Sequence, residues 1–477
     1  ASTDNIKTST TANFTDGINV VGLITATSGI NLVGNDLNVG SSIKLGNASG
    51  IVTATTFSGS GANLTSLPSA QLTGALPAIS GASLTGVTAV GLSTTASINT
   101  TGIITATTLN YTGNQNLSHR NIIINGAMLV AQRNTDVTSA TAGYHTVDRI
   151  QSENFNADEA PRRQQVDVSS SSTPYTLGFR KAYKLTNGNQ TGGAGADDIM
   201  NIRYQIEGQD IATSGWNYKS ASSFITLQFW IKSSVSQNFN MYLRTRDGTN
   251  QTYAFDTGTL SADTWTKIIK TIPGNSSIQF DNDNGTGLQL NFGPFWGTNR
   301  TNNNVTNEVW QGYNSSSRMK DNATTWYTTD NATLEMTGLQ LEVGPVATPF
   351  EHRSFGDELR RCQRYFFNIT GDSNIRTGVL GYANSASEFR GVVSFPSPMR
   401  ATPTFTGSTT AMVVDSANDS SSFNVNTISM SGVPGSSVQN TIFQAVVEAS
   451  PGGMTAGQCG QLEFRASNGF MNFEAEL

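Results

Sequence analysis

Apolar and polar positions alternate with a period of two through much of residues 119–351. Ile225, Leu227, Phe229 and Ile231 interleave with Thr226, Gln228 and Trp230. Phe239, Met241 and Leu243 form a second set, and Leu288, Leu290 and Phe292 alternate with Gln289 and Asn291. Leu334 and Met336 precede Leu339, Leu341 and Val343, so the phase slips at Thr337-Gly338, which predicts a β-bulge. Such patterning buries one face of a strand and turns the other outward. With Gly, Asn, Asp and Ser turns between the runs, residues 119–351 are expected to form an antiparallel, jelly-roll-like β-sandwich. The pattern resumes in residues 368–477: Phe389, Gly391, Val393 and Phe395; Phe443, Ala445 and Val447; Leu462, Phe464 and Ala466; Met471, Phe473, Ala475 and Leu477. It predicts a second sandwich, a tip, with the final residues tied into a sheet.

One segment breaks the period. Residues 354–367 place Leu359, Cys362 and Phe366 at i, i+3 and i+7, with Asp357, Glu358, Arg360, Arg361 and Arg364 at other positions. Ser354 with Asp357 three residues later is a helix-start signal. A helix this short does not stabilise itself in water. Residues 352–367 are therefore expected to be a junction where three parallel chains bring Leu359, Cys362 and Phe366 onto one axis.

Residues 1–118 differ in kind. Their only charged residues are Asp4, Lys7, Asp16, Asp36 and Lys44. The apolar triplets recur irregularly: GLITAT at 22–27, GIVTAT at 50–55 and GIITAT at 102–107, with GANLTSL at 61–67 echoed by GASLTGV at 81–87. Each repeat reads as a short strand and a turn. A single copy cannot bury its apolar face, and lone strands expose edges. Interwinding three chains solves both problems, so the block is expected to be a thin, repetitive β shaft. A flexible Ser/Thr/Gly linker is the alternative.

Composition narrows the function classes. Charged residues are 13% of the chain, against ~25% in a typical globular protein, and Ser, Thr, Asn, Gln and Gly take their place. The net charge is -6 with a pI near 5.2, and no Lys/Arg-rich arm appears, so no nucleic-acid partner is expected. No run of 18 apolar residues marks a membrane-spanning helix, and membrane insertion is not expected. Two cysteines, Cys362 and Cys459, make no disulfide framework, and the histidines His119, His145 and His352 are too scattered for a typical zinc site. No metal and no cofactor is expected. Asp281 and Asp283 alternate with Asn282 and Asn284 in a way that hints at calcium, but the glycine comes one place too early for an EF-hand and no helices flank it, so an ordinary polar turn is the favoured reading.

Two segments carry a resemblance. NIIINGAMLVAQR at 121–133 is followed by AGYHTVDRI at 142–150, and TGLQLEVGPVATPFEHRSFGDELRRCQRYF spans 337–366. The chain resembles bacteriophage tail-fibre and related virion fibre proteins, which share an NGxxxxxQR…DR opening, a QLExGxxATxFE closing strand and an ELxxCxRY helix. The matches are Gln340, Leu341, Glu342, Gly344, Ala347, Thr348, Phe350, Glu351, Glu358, Leu359, Cys362, Arg364 and Tyr365. The segments at 395–406 and 470–477 are similar to fibre tips, and the N-terminal repeats resemble those of cyanobacterial phage structural proteins. The resemblance implies a homotrimeric fibre in the virion, joined to other virion proteins at its N-terminus. It also implies carbohydrate-binding-module-like sandwiches that attach to a host surface. A long N-terminal docking domain and a self-cleaving C-terminal chaperone, found in some relatives of this kind, have no counterpart in the sequence.

Sugar binding uses flat aromatic faces for pyranose rings and planar amides or carboxylates for hydroxyl pairs. Residues 292–331 supply that mixture: Trp296, Trp310, Tyr313, Trp326 and Tyr327 with Arg300, Asn303 and Glu308. They are the expected carbohydrate-binding residues, and packing in the core or at a subunit interface is the competing explanation. Trp216, Trp230 and Trp265 lie in or beside strands and are read as packing. The tip loops around 371–388, 415–424 and 431–441, with Tyr382, Asp415, Asn418 and Asp419, are a second expected contact surface. No pair of carboxylates stands out for glycoside hydrolysis. The sequence therefore favours adhesion to a host-surface polysaccharide or lipopolysaccharide without enzymatic activity. A tailspike-like depolymerase and a purely structural connector or capsid decoration are the alternatives.

Overall fold

The structure, a computed structural model, describes residues 119–371, 375–408, 412–416, 422–432, 442–465 and 469–477. The expectations for residues 1–118, and for Asn418 and Asp419, fall outside the described residues. The chain is all-β, and among the described residues every strand pairing is antiparallel. The first sandwich has a six-stranded and an eight-stranded sheet. The six-stranded sheet runs Asp136–Thr138, Arg162–Asp167, Lys181–Thr186, Thr333–Val343, Phe224–Ser233, Thr266–Pro273. The eight-stranded sheet runs Trp310–Gly312, Gln251–Thr259, Asn238–Thr245, Thr286–Asn291, Ile199–Glu207, Ile150–Phe155, Gly143–Tyr144. Its eighth strand, Phe295–Trp296, pairs with the other end of Ile199–Glu207.

The period-two sets meet between these sheets. Ile225, Leu227, Phe229 and Ile231 face Phe239, Met241, Leu243, Leu288 and Leu290, all fully buried. Each such side chain contributes roughly 1.5–3 kcal/mol by leaving water. The expected bulge is present. Thr337 pairs with Trp230 and Gln340 with Gln228, so two residues stand opposite one, and Gly338 takes φ 66° there. The bulge returns Leu339 and Leu341 to the core side.

The tip has a three-stranded sheet, Phe366–Gly371, Gly469–Glu474, Thr404–Gly407. Its seven-stranded partner runs Ser422–Asn424, Met412–Ser416, Cys459–Phe464, Ile375–Ser385, Glu388–Met399, Ile442–Ala449, Ile428–Gly432. Phe389, Val393, Ala445, Val447, Leu462, Phe464, Met471 and Phe473 form its core. The final residues are tied down, and partly by the other sandwich. Gln205 Nε2 and Tyr144 Oη both donate to the Leu477 carbonyl.

The helix is shorter than expected, Phe355–Cys362. Ser354 caps it by accepting from Asp357 N at 3.2 Å. The aromatic run that follows leaves the helix, and Phe366 pairs with Glu474 at the start of a strand. The expected trimer interface is also corrected. Cys362 and Phe366 are 0% and 2% exposed within a single chain. Cys362 packs with Ile124, Val130 and Tyr365, and Leu359 and Leu477 lie against the same cluster. The apolar face of the helix is covered by Ile124, Leu129, Val130 and Leu477 of the same chain, so it offers no stripe to other copies.

Around this helix the two sandwiches are joined by charge. Glu207, fully buried, accepts from Arg364 Nε and Nη2 at 2.7 and 2.8 Å and also from Tyr365 Oη. Arg149 pairs with Glu476 and lies 3.5 Å from the centre of the Tyr365 ring. Asn125, at φ 61°, exchanges hydrogen bonds with both backbone groups of Val130. Next to it a Cβ on Gly126 would fall 2.0 Å from the Leu339 carbonyl oxygen.

Gly126→Ala therefore forces the bulged strand away from the entry segment. A loss of about 3 kcal/mol is expected, the upper end of overpacking costs, read as a lower urea midpoint at unchanged m-value. Asp148 supplies a pH test. It is 1% exposed and accepts from Gln132 N at 2.9 Å, with Arg133 3.9 Å away. Burial nevertheless pushes its carboxyl up from 3.8 to about 6. The folded state therefore holds this proton more tightly than the unfolded state. Its contribution favours the fold below the unfolded value and is lost as pH rises through about 6. The melting temperature of Asp148→Asn should fall less between pH 4 and pH 7 than that of the parent, and parallel curves from circular-dichroism melts would contradict this.

Candidate functional site

Strand register places a polar layer, or floor, on the non-core face of the eight-stranded sheet; most of it is buried, and Trp296, Val305 and Met319 cover Ile199, Tyr242 and Ala254 at one end. Gln311, Thr252, Arg244, Gln289 and Gln205 lie side by side across five strands. A second row continues through Ala254, Tyr242, Asn291, Arg203 and Gln151. Asn201 and Glu153 pair in the next row, and Ile199 beside half-exposed Phe155 after that. These positions alternate with Leu243, Leu290, Ile202 and Tyr204, whose burial in the core fixes the outward direction of the rest.

The floor is a hydrogen-bonded network with capacity left over. Arg203 donates to Glu153 at 2.6 Å and to Asn291 Oδ1 at 3.1 Å, and Asn201 Nδ2 donates to the same Asn291 oxygen at 3.0 Å. Gln289 Nε2 donates to Gln205 Oε1 at 2.7 Å. Asn291 Nδ2, Asn201 Oδ1, Thr252 Oγ1, Gln311 Nε2, Arg244 Nε, Arg318 Nη1 and Trp296 Nε1 have no protein partner. Each such buried group costs on the order of 1–3 kcal/mol, so their concentration on one face is not what packing alone would select.

Over one end of this floor stands a stack. The Arg244 guanidinium carbon is 3.5 Å from the centre of the Tyr313 ring. Arg318 lies 4.8 Å from the Trp296 ring centre, and its Nε donates to Tyr313 Oη at 3.0 Å. Trp296 meets Tyr242 edge-on at 5.8 Å.

The structure thus brings together two of the expected aromatics, Trp296 and Tyr313, and separates them from the others. Only Tyr313 remains half-buried, while Trp296 is 3% exposed. Trp310 is a core residue against Tyr253, with its Nε1 donating to the Pro273 carbonyl at 2.7 Å. Trp326 and Tyr327 are fully buried in the short helix Thr325–Thr328, and Tyr327 stacks on Phe295 at 4.3 Å. These three serve packing, a correction to the expected binding set. Asn303 is exposed and tied to Asp321, Arg300 is 3.7 Å from Asp197, and Glu308 is bound to Lys270 at 2.7 Å, away from the stack. Arg318 lies in the segment 292–331 that the sequence marks for sugar binding, whereas Arg244, Tyr242, Arg203 and Asn201 were not singled out by sequence. The signal was available for the strand residues, since they are the odd phase of the same alternations.

A second aromatic groove of 430 Å³ opens on the outer side of the six-stranded sheet, between Trp230, Phe350, Phe179, Gln228, Lys267 and His352. Tyr382, with Leu380, is exposed on a tip strand, whereas Asp415 is engaged by Ser422. Asp281 and Asp283 sit near Asp247, and Asp283 accepts from Gly285 N at 3.0 Å. Among the described residues no group of three or more His, Cys, Asp or Glu is arranged to hold a metal ion.

No protein-family model matches this sequence, and no curated protein matches it. Solved structures give distant likenesses. The enzymatically active domain of tailspike protein 4 of bacteriophage CBA120 is 8% identical with a TM-score of 0.25, over 47% of this chain and 21% of that one. The xylan-binding domain from Paenibacillus barcinonensis is 9% identical with a TM-score of 0.22, over 46% of this chain and 100% of that one. A family 11 carbohydrate-binding module from Clostridium thermocellum, in complex with a mixed-linked tetrasaccharide, is 10% identical with a TM-score of 0.20, over 46% and 98%. At these scores the likenesses assign no role to any residue here.

Core and face predict different mutational costs. Trp326→Ala should cost about 3–5 kcal/mol, whereas Tyr313→Ala, which loses a stack at the surface, should cost about 1 kcal/mol. Urea denaturation of the two variants checks the order, and equal losses would place Tyr313 in the core.

Proposed function

We propose that this chain is the receptor-binding part of a homotrimeric bacteriophage virion fibre, and that the outward face of its eight-stranded sheet holds a host-surface polysaccharide or lipopolysaccharide. The observation that carries the reading is the accessible part of this face, where Gln311, Arg244, Arg203 and Gln151 are partly exposed in register, while Thr252, Gln289, Gln205, Tyr242 and Asn291 lie buried among them. Planar amides and guanidiniums in register can each engage two neighbouring hydroxyls, and a polymer crossing the strands would meet several in turn. Tyr313 and Phe155 offer aromatic surface at the margins. The virion assignment, and with it attachment to other virion proteins through the N-terminal residues, is supported by the resemblance of residues 121–150 and 337–366 to tail-fibre proteins. Three copies per fibre would multiply a weak single-site affinity.

The test is size-exclusion chromatography of purified host surface polysaccharide with and without the full chain. Polysaccharide of unchanged size co-eluting with the protein is expected, and Gln311→Ala combined with Tyr313→Ala should abolish the shift. Shortened polysaccharide would replace adhesion by a depolymerase, and no co-elution would favour a structural connector. Loss of binding in Trp230→Ala instead would move the site to the 430 Å³ groove.

A further inference from the structure

The stack at the end of the polar floor carries more positive charge than the protein around it balances. Arg244 and Arg246 lie two residues apart on the same side of one chain segment, and Arg318 comes from the loop above. Among the described residues, Arg244, Arg246 and Arg318 have no carboxylate within ion-pair distance, although Asp247 acts electrostatically on Arg246. The contrast with Arg203 is direct, since that guanidinium, two rows away, is closed by Glu153. Arg244 gives Nη2 to the Asn250 amide oxygen at 2.7 Å when that amide is oriented to satisfy both its ends. Its Nε is unpartnered, as is Nη1 of Arg318, a residue only 8% exposed. Burial pushes the Arg244 guanidinium down, and Arg246 and Arg318 push it the same way against the opposing pull of the Tyr313 and Tyr242 rings. Like charges held this closely repel each other and lose water, and an anion between them offsets the repulsion and supplies acceptor oxygens in place of the lost water.

We propose that Arg244, Arg246 and Arg318 form a subsite for an anionic substituent, a carboxylate or a sulfate ester, so that the glycan held by this face is an acidic one. The proposal rests on the adhesive reading of the same face and adds the class of sugar. Tyr313 holds the Arg244 plane from one side, Arg318 stiffens Tyr313 through the 3.0 Å bond to its hydroxyl, and an anion reaches the buried Nε and Nη1 from the partly exposed side of Arg244 and the exposed Arg246. Because the site reads charge and a planar or tetrahedral set of oxygens, uronates and sulfated sugars share it.

The experiment titrates the full chain with sodium galacturonate and, separately, sodium sulfate, at ionic strength held constant with sodium chloride, following Trp and Tyr fluorescence. Saturable responses to either anion beyond the chloride control are expected. Galacturonate alone would specify a uronate, and sulfate alone a sulfate ester. Arg244→Gln and Arg318→Gln should each weaken the response about ten- to a hundredfold, and Arg244→Lys should retain part of it. Absence of any response beyond chloride overturns the proposal, as does a response that persists in the Arg244→Gln, Arg318→Gln double variant. Melting temperatures of the variants identify loss of fold. The two readings fail separately: polysaccharide that still co-elutes when both anions fail leaves adhesion standing on neutral sugars. Anion binding without polysaccharide retention leaves the subsite without the adhesin.

Discussion

Glu207 is a carboxylate with no contact with water at the end of the central strand Ile199–Glu207. An isolated charge there would be untenable, and the structure around it follows from that constraint. Arg364 closes it with two parallel hydrogen bonds and Tyr365 with a third. Together they hold the carboxyl below the usual carboxylate range despite burial. The Arg364 and Tyr365 pair can reach it only if the helix Phe355–Cys362 docks at this strand end. That docking places the tip's first strand, Phe366–Gly371, beside its last, Gly469–Glu474. Breaking such a buried pair from one side typically costs about 3–5 kcal/mol, whereas the intact pair adds little net stability. Its effect is to fix one arrangement of the two sandwiches.

The same strand supports the outward face. Asn201, Arg203 and Gln205 point away from the core, with Arg203 alone partly exposed, and Gln205 joins this layer to the Leu477 carbonyl. The motifs that resemble fibre proteins gather at this joint rather than on the face. Asn125, Gly126, Gln132, Arg133, Asp148 and Arg149 shape the entry segment against it. Glu342 takes bonds from Gln340, Thr348 and Gln228 behind it. Glu358 receives Arg353 at 3.0 Å and the Asn125 backbone. A residue pattern of this sort specifies how the pieces lock together, so the resemblance speaks to architecture, and what the chain binds has to be argued from other side chains.

The alternation of Leu288, Leu290 and Phe292 with Gln289 and Asn291 made both the core and the floor legible, because burial of one phase dictates the other. The bulge at Thr337-Gly338 was legible for the same reason. What alternation cannot supply is which strands become neighbours. The row from Gln311 to Gln205 joins residues more than a hundred positions apart, and only register assembles it. Residues 292–331 misled through density. Trp326 and Tyr327 close the sandwich from a single helical turn, where aromatics are the largest available plug. The helix misled through its isolation in the sequence. Its apolar face looked unpartnered because its partners, Ile124, Val130 and Leu477, lie far away along the chain.

The proposed binding of an acidic polymer by an acidic chain is less paradoxical than the net charge of -6 suggests. At physiological salt, fields between exposed charges decay over about 8 Å. Carboxylates on other faces therefore add little at the stack, and there the guanidiniums of Arg244 and Arg318 set the local sign, with Arg246 shared between them and Asp247. The rest of the surface still repels weakly at contact, which disfavours adventitious docking in other orientations. A carboxylate built into the protein beside Arg244, as Glu153 is beside Arg203, would relieve the local repulsion but fill the position an incoming anion would take. Stacking on Tyr313 is the alternative that keeps a guanidinium ordered, charged and open at its edge. The difference between these two arginines, two rows apart on one face, is thus a difference between a guanidinium neutralised by a carboxylate of the fold and one held by an aromatic ring, which is what the proposed anion subsite requires.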